Sequence, residues 1–326
     1  MKNALLLTGA AARISQEVAI LDKLIEYRGL ELNPESTLLA GFSSGALNIA
    51  AINACFRTNV PLNWDDYYKE EVLFKVKNKD VFQKIKFVPL DTKPLRKTVD
   101  RFLSDAQQHL LGDLTFPSYI LAFSYRRLRT LWAGSHKPGH QDILLSDLLM
   151  ATTAIPIIFP DQTIGSDEGS LHKFTQGSFA DGGTGGSFKQ FEKHLRNYRK
   201  QNQILDQLFI ISPMREVTHE DYQDLYNMMP SFEMLKLNIK DIKLLRVFLG
   251  MISQNGFDTF IKRFYKWNLK KPVAKKIWVC IPDLEKNYPI MNFDLQKEQY
   301  QAVCQWIDQN KESFAVPIET YMKKFA

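Results

Sequence analysis

The feature that most constrains this chain is a five-residue turn, Gly41-Phe42-Ser43-Ser44-Gly45, set where the apolar segment "STLLAG" gives way to the small-residue run "ALNIAAINAC". A G-x-S-x-G sequence between a strand and a helix has a mechanical meaning. The flanking glycines Gly41 and Gly45 let the chain turn so tightly that the serine Oγ projects at the carboxyl end of the strand, and the following helix aims its first amides at the same point. Those amides can stabilise an oxyanion. The glycine spacing centres Ser43 rather than Ser44, and a structural turn that happens to contain serine is the competing explanation.

The flanking pattern sets the fold class. "NALLLTG" (Asn3 to Gly9) reads as a buried strand, and Val18, Leu21, Leu24 and Ile25 recur at helical spacing after it. Strand, helix, strand, helix within sixty residues begins an α/β sheet with crossover connections. Further strands are expected at Ser118 to Tyr125, Thr130 to Gly134, Gln207 to Ser212 and Lys276 to Ile281, which spread one mostly parallel sheet across the chain. Residues 59–110 read as a helical insertion over that sheet. The segments Asp221 to Leu269 and Asp294 to Lys324 have helical periodicity, so residues 1–215 are expected to form the core and 216–326 a helical C-terminal layer of the same domain. A separate domain after about residue 215 is the alternative.

A serine needs a base. Six histidines are present, His109, His136, His140, His172, His194 and His219, and the chain order Ser43, Asp181, then His194 or His219 would satisfy a Ser-Asp-His arrangement. A second candidate lies in "GSFADGGTGGS" (Gly177 to Ser187). There Asp181 ends an apolar pair and enters a turn at Gly182-Gly183, where a desolvated carboxylate can take the serine proton directly. A favourable Asp-Gly turn without chemistry is the alternative. At the N-terminus, Gly9, Ala10, Ala11, Ala12 and Arg13 form a small-residue loop entering a helix. Its amides can face a carbonyl oxygen, with Arg13 adding fixed positive charge.

Together these segments resemble the patatin-like phospholipase family, serine acyl hydrolases with a Ser-Asp dyad. The family's "GGGxRG" corresponds to Gly9 through Ile14, its G-x-S-x-G to Gly41 through Gly45, and its D-G-[GA] to Asp181-Gly182-Gly183. "SDLLMATTAIPIIFP" (Ser146 to Pro160) is similar to the family segment ahead of the aspartate. The resemblance implies a three-layer α/β/α fold, Ser43 as nucleophile, Asp181 as general base, and an oxyanion hole at Gly9 to Arg13. It also implies phospholipid or other lipid-ester substrates, and neither metal nor cofactor. Where the family has a run of glycines and a glycine after the arginine, this chain has Ala10, Ala11, Ala12 and Ile14. An alanine forced to positive φ costs about 1 kcal/mol or more, which makes a catalytically weak or inactive lipid- or protein-binding member the alternative. A Ser-His-Asp esterase or an acyltransferase is a third reading.

Charge and cysteine content bound the rest. The formal net charge is +6, yet Lys236 to Lys276 alone carries +9, leaving −3 elsewhere. Within that window "NGFDTFIKRFYKWNLKKP" places Phe257, Phe260, Phe264 and Trp267 on one helical face beside Lys262, Arg263 and Lys266. This describes a candidate contact with an anionic membrane, and a core-packed aromatic stripe is the alternative. No nucleic-acid recognition motif accompanies the patch, so no nucleic-acid partner is expected. Three cysteines without a C-x-x-C pair suggest neither disulfides nor zinc. No apolar run approaches the roughly 18 residues of a membrane span, and the apolar stretch after Met1-Lys2-Asn3 is too short for a secretory signal. A cytoplasmic protein, with peripheral membrane contact open, is the expectation.

Overall fold

Four apolar strands lie side by side at the centre of the molecule. The computed structural model describes residues 2–56, 62–83, 89–165, 177–184, 191, 195, 204–216, 218–228 and 253–325. Strands β1 (Asn3–Leu7), β2 (Thr37–Gly41), β3 (Ser118–Ser124), β4 (Arg129–Gly134), β5 (Phe179–Ala180), β6 (Leu205–Ile211), β7 (Ala274–Cys280) and β8 (Ala315–Pro317) form one sheet. Its order is β4-β3-β2-β1-β6-β7-β8, and β5 pairs with β3. The pairs β1–β2, β1–β6, β2–β3 and β6–β7 are parallel. Strands β4, β5 and β8 run antiparallel to their neighbours. Central strands buried on both faces need continuous apolar runs rather than alternation, and "ALLL" and "LFII" supply them. The fold is therefore α/β, a mixed and mostly parallel sheet flanked by helices.

Helices α1 (Ile14–Arg28), α2 (Ser44–Cys55), α3 (Asn78–Val81), α4 (Lys93–Asp105), α5 (Leu145–Thr152), α6 (His219–Met228), α7 (Gln254–Lys270), α8 (Gln296–Gln309) and α9 (Ile318–Met322) complete the described elements. The C-terminal region is not only helical. It contributes β7 and β8 to the sheet, and β8 interrupts the helical pattern expected from Asp294 to Lys324. Helix α8 packs on α1, where Gln16 Nε2 donates to Gln299 Oε1 at 2.8 Å. The expected insertion is a cap made of a π-helical segment, Trp64–Val72, followed by α3 and α4. Lys77 Nζ donates to the Asp294 carbonyl and Asn78 to the Asp294 carboxylate, while Arg96 pairs with Asp147 at 2.7 Å, so the cap is tied to both the C-terminal layer and α5.

Helix α7 corrects one expectation. Phe257, Phe260, Phe264 and Trp267 are buried in the core against Phe191 and Tyr321, so these rings are unavailable to a bilayer. An apolar stripe satisfied by the core has no apolar area left to offer. Arg263 and Lys266 are exposed, and Lys262 lies over the Phe325 ring. The remainder of the basic window, residues 236–252, lies outside the described residues. Among the described residues no helix is long and apolar enough to cross a membrane.

The ends of β1 and β2 are joined by backbone contact. A Cβ at Gly41 would lie 2.7 Å from the Leu7 carbonyl oxygen, and one at Gly45 would lie 2.5 Å from the same atom. Both glycines of the turn are thus required by close approach, not by φ. Gly45→Ala is expected to cost about 1–3 kcal/mol through overpacking, read as a lower urea midpoint with an unchanged denaturant slope.

Candidate active site

All four parallel connections bring their strand ends to one edge of the sheet, where ligands of open α/β sheets gather. Ser43 follows β2 there with φ 53° and ψ −138°, a conformation disfavoured for any residue with a Cβ. The strain is held from two sides. The Ser43 N–H donates to Thr152 Oγ1 at 2.9 Å, and α2 begins at the next residue. Ser43 is buried but retains 7% exposure.

Thr152 also fixes the second candidate. Its carbonyl accepts from Gly182 N–H at 3.1 Å, while the Ala154 carbonyl accepts from Asp181 N–H at 2.8 Å. The turn after β5 is thereby laid against the serine turn, and a Cβ on Gly182 would stand 2.6 Å from Phe42 Cβ. Asp181 is fully buried. Its Oδ1 accepts from Gly183 N–H at 2.7 Å, and Oδ2 is buried with no hydrogen-bond partner. Burial raises the carboxyl pKa to about 7, opposed by the Ser43 hydroxyl and the Gly183 amide. The hydroxyl therefore acts on the carboxylate without a formed hydrogen bond, as is common before a substrate tightens such a pair. Residues 185–187 of the same glycine-rich stretch lie outside the described residues.

The loop after β1 differs from its expected form. Gly9 adopts φ 65° and its N–H donates to Glu17 Oε1 at 2.7 Å. The Ala10 N–H donates to Ser44 Oγ at 3.0 Å, Ala12 N–H to the Ile290 carbonyl at 2.8 Å, and Arg13 N–H to the Ala10 carbonyl at 3.0 Å. Only Ala11, a non-glycine residue at φ 49°, has an amide that donates no bond among the described residues. Of the five expected oxyanion donors, four are committed elsewhere. Arg13 is also corrected: its guanidinium is buried and turned to the C-terminal layer, with Nε donating to the Tyr288 carbonyl at 2.8 Å and a second nitrogen 3.5 Å from Asp221. Burial lowers its pKa to about 10, partly offset by the Asp221 carboxylate.

Three of the described histidines are engaged or exposed away from the serine. His136 bonds Tyr119, His140 accepts from Gly134 N–H, and His219 is exposed at the start of α6. His109 is held through its backbone N–H, which donates to Asp113 Oδ2 at 2.8 Å, and His172 and His194 lie outside the described residues. Among the described residues no group of three or more His, Cys, Asp and Glu side chains is placed to hold a metal ion. Between α2, α5 and the cap lies an apolar cavity of about 80 Å³ lined by Ile14, Leu47, Tyr68, Val72, Val99 and Leu149, among others. Leu47 is one helical turn from Ser43 and Leu149 one turn from Thr152. Sequence reasoning passed over Thr152, Ser44, Glu17 and Asn48. The resemblance covered Thr152 without singling it out.

Glu17 and Asp181 give the stability a definite pH dependence. Burial raises both carboxyl pKa values, to about 8 and about 7, from ordinary values of 4.5 and 3.8. Between the ordinary and raised values the folded chain holds protons that the unfolded chain has released, so stability falls as pH rises through this window. The expected result is a lower thermal midpoint at pH 8.5 than at pH 5.5, reflecting an unfolding free energy lower by on the order of a few kcal/mol. Glu17→Gln and Asp181→Asn should each flatten that slope in calorimetry.

The family described as Patatin, patatin-like phospholipase, matches residues 5–188, more than half of the chain. Among curated proteins none matches. A solved structure, that of VipD from Legionella pneumophila, is similar at 11% identity and a TM-score of 0.35, with 97% of this chain and 67% of that chain covered. With the family match spanning β1, the serine turn and the Asp181 turn in order, the chain belongs to the patatin-like phospholipase family, a family of lipid acyl hydrolases.

Proposed function

We propose that the protein hydrolyses carboxylic esters of lipids through an acyl-enzyme on Ser43, with Asp181 as general base. One observation carries the reading: a strained, partly accessible serine and a fully buried carboxyl group poised near neutrality sit on turns laid against each other, and the Ser43 hydroxyl is among the groups that act on the Asp181 carboxyl. Ser43 Oγ attacks the ester carbonyl and its proton passes to Asp181. The oxyanion falls to the Ala11 N–H and to the N–H of Ser44, the residue after the nucleophile, at the first turn of α2. Asp181 then protonates the leaving alcohol, and the same carboxylate activates the water that releases the acid.

The acyl group is assigned to the apolar cavity that reaches Leu47, one turn of α2 beyond Ser43. At about 80 Å³ it is smaller than the roughly 150 Å³ that accommodates benzene in an engineered core. Short acyl groups fit as the cap stands, and long ones require the Trp64–Val72 segment to shift. Peripheral contact with an anionic bilayer would fall to the exposed Arg263, Lys266, Lys270 and Lys271. The last turn of α7 precedes β7, so Lys270 and Lys271 sit where the parallel strands begin, at the end of the strands away from Ser43. Such contact would not lead lipid directly to the serine.

A second reading, a catalytically weak or inactive lipid- or protein-binding member, draws on Ala11, whose methyl group disfavours the φ that its amide needs. Release of p-nitrophenol from short- and long-chain esters separates the two. The hydrolase reading expects wild-type turnover that rises with pH through about 7, as Asp181 loses its proton. Ser43→Ala and Asp181→Ala should each lower it by about 10³-fold or more, while EDTA leaves it unchanged. Wild-type protein as silent as both variants on every ester would favour the binding reading.

A further inference from the structure

Glu17 is a buried carboxyl group that the proposed mechanism does not use. It sits in the first turn of α1 at 1% exposure, with no cation bonded to it. A carboxyl buried without a counter-charge is costly, and an apolar side chain would fill the same space. What it does instead is accept at both oxygens. Oε1 takes the Gly9 N–H at 2.7 Å, and Oε2 takes Asn48 Nδ2 at 2.9 Å. Asn48 Nδ2 also donates to the Ile14 carbonyl at 3.2 Å, and its Oδ1 accepts from Tyr68 OH at 2.6 Å. Tyr68 belongs to the cap and lines the apolar cavity. One carboxylate thus joins the loop after β1, helix α2 and the cap.

The consequence falls on Ala11. Gly9 is the first residue of the loop and is held at φ 65°, where its neighbours leave no room for a Cβ: one would stand 2.7 Å from the Phe42 carbonyl oxygen. Fixing its N–H sets the direction of the peptides that follow, and the Ala11 N–H is the one they leave uncommitted. We propose that Glu17 is a positioning residue for the oxyanion loop, clamping Gly9 so that the Ala11 amide faces the reacting carbonyl, with Asn48 and Tyr68 carrying that clamp to the cap over the acyl cavity. Its catalytic consequence rests on the hydrolase reading, while the clamp itself does not.

The test uses the full chain and two readouts: hydrogen exchange of the loop amides from Gly9 to Arg13, and steady-state hydrolysis of a p-nitrophenyl ester. Glu17→Met, close in shape and without an acceptor, should speed loop exchange and lower kcat about 10- to 100-fold with KM within about twofold, the signature of misplaced transition-state donors. Glu17→Gln, whose amide oxygen still accepts from Gly9, should restore slow exchange and bring kcat to within about threefold of wild type. Should Glu17→Met fail to fold, Tyr68→Phe, which removes only the far hydroxyl, is expected to move both readouts the same way by a smaller factor. Unchanged loop exchange in the folded variant overturns the clamp, and faster exchange with wild-type kcat overturns the positioning role. A wild type without ester hydrolysis would count against the hydrolase reading, and loop exchange alone would then decide the clamp.

Discussion

Where β1 and β2 end, backbone meets backbone with no side chain between. The Leu7 carbonyl lies under both Gly41 and Gly45, and Gly9 in turn lies against the Phe42 carbonyl and the first amides of α2. This reciprocal contact sets the geometry of everything at that edge of the sheet. It brings the start of α2 onto the end of β1, which leaves the chain no way to turn except through Ser43 in a strained conformation. It also puts the loop after β1 within a hydrogen bond of Ser44, whose Oγ holds the Ala10 amide. The turn after β5 is then added by Thr152, one side chain and one carbonyl serving two strands' worth of loop.

The charges around this edge are divided by element. Arg13, the one cation of the loop, is drawn off to Tyr288, Asn287 and Asp221, where it ties the C-terminal layer to the start of α1. Glu17 and Asp181 are left in dry surroundings without a cation bonded to either, and burial moves both toward neutrality. An anion forming near Ser43 would then meet amides rather than a guanidinium. Helix α8 supports the same loop from behind, since Gln296 and Gln299 both donate to the Ala12 carbonyl. The described part of the C-terminal layer therefore buttresses the loop after β1.

Much of this could be read from the residues alone, and the limits have physical causes. The long strands were legible because parallel, doubly covered strands require unbroken apolar runs. Two- and three-residue strands such as β5 and β8 are too short to show a period. The serine and aspartate turns were legible because glycine is demanded by close approach, a constraint written in residue type. The direction of Arg13 was not, because its partner Tyr288 lies 275 residues away. The aromatic face of α7 was ambiguous in principle: a core and a bilayer both take apolar rings, and only the packed structure shows that the core has them. Glu17 was missed because a glutamate near a helix start is ordinarily a solvated, dipole-favoured residue.

Two non-glycine residues at positive φ, Ala11 at 49° and Ser43 at 53°, occupy the same edge of the sheet. Each costs on the order of 1–3 kcal/mol and persists only where its surroundings over-determine it. Here they do. Ser43 is held by Thr152 and by the start of α2, and Ala11 is bracketed by the bonds of Gly9, Ala10 and Ala12 to three separate elements. A protein that only bound lipid could relax either residue without loss. A protein that must present a hydroxyl to a carbonyl carbon and an amide to its oxygen could not, because both directions follow from the strained φ. The alanine substitutions thus weigh less against catalysis than their residue type suggests: the methyl group at Ala11 raises the cost of the conformation, while the surrounding bonds keep the conformation itself.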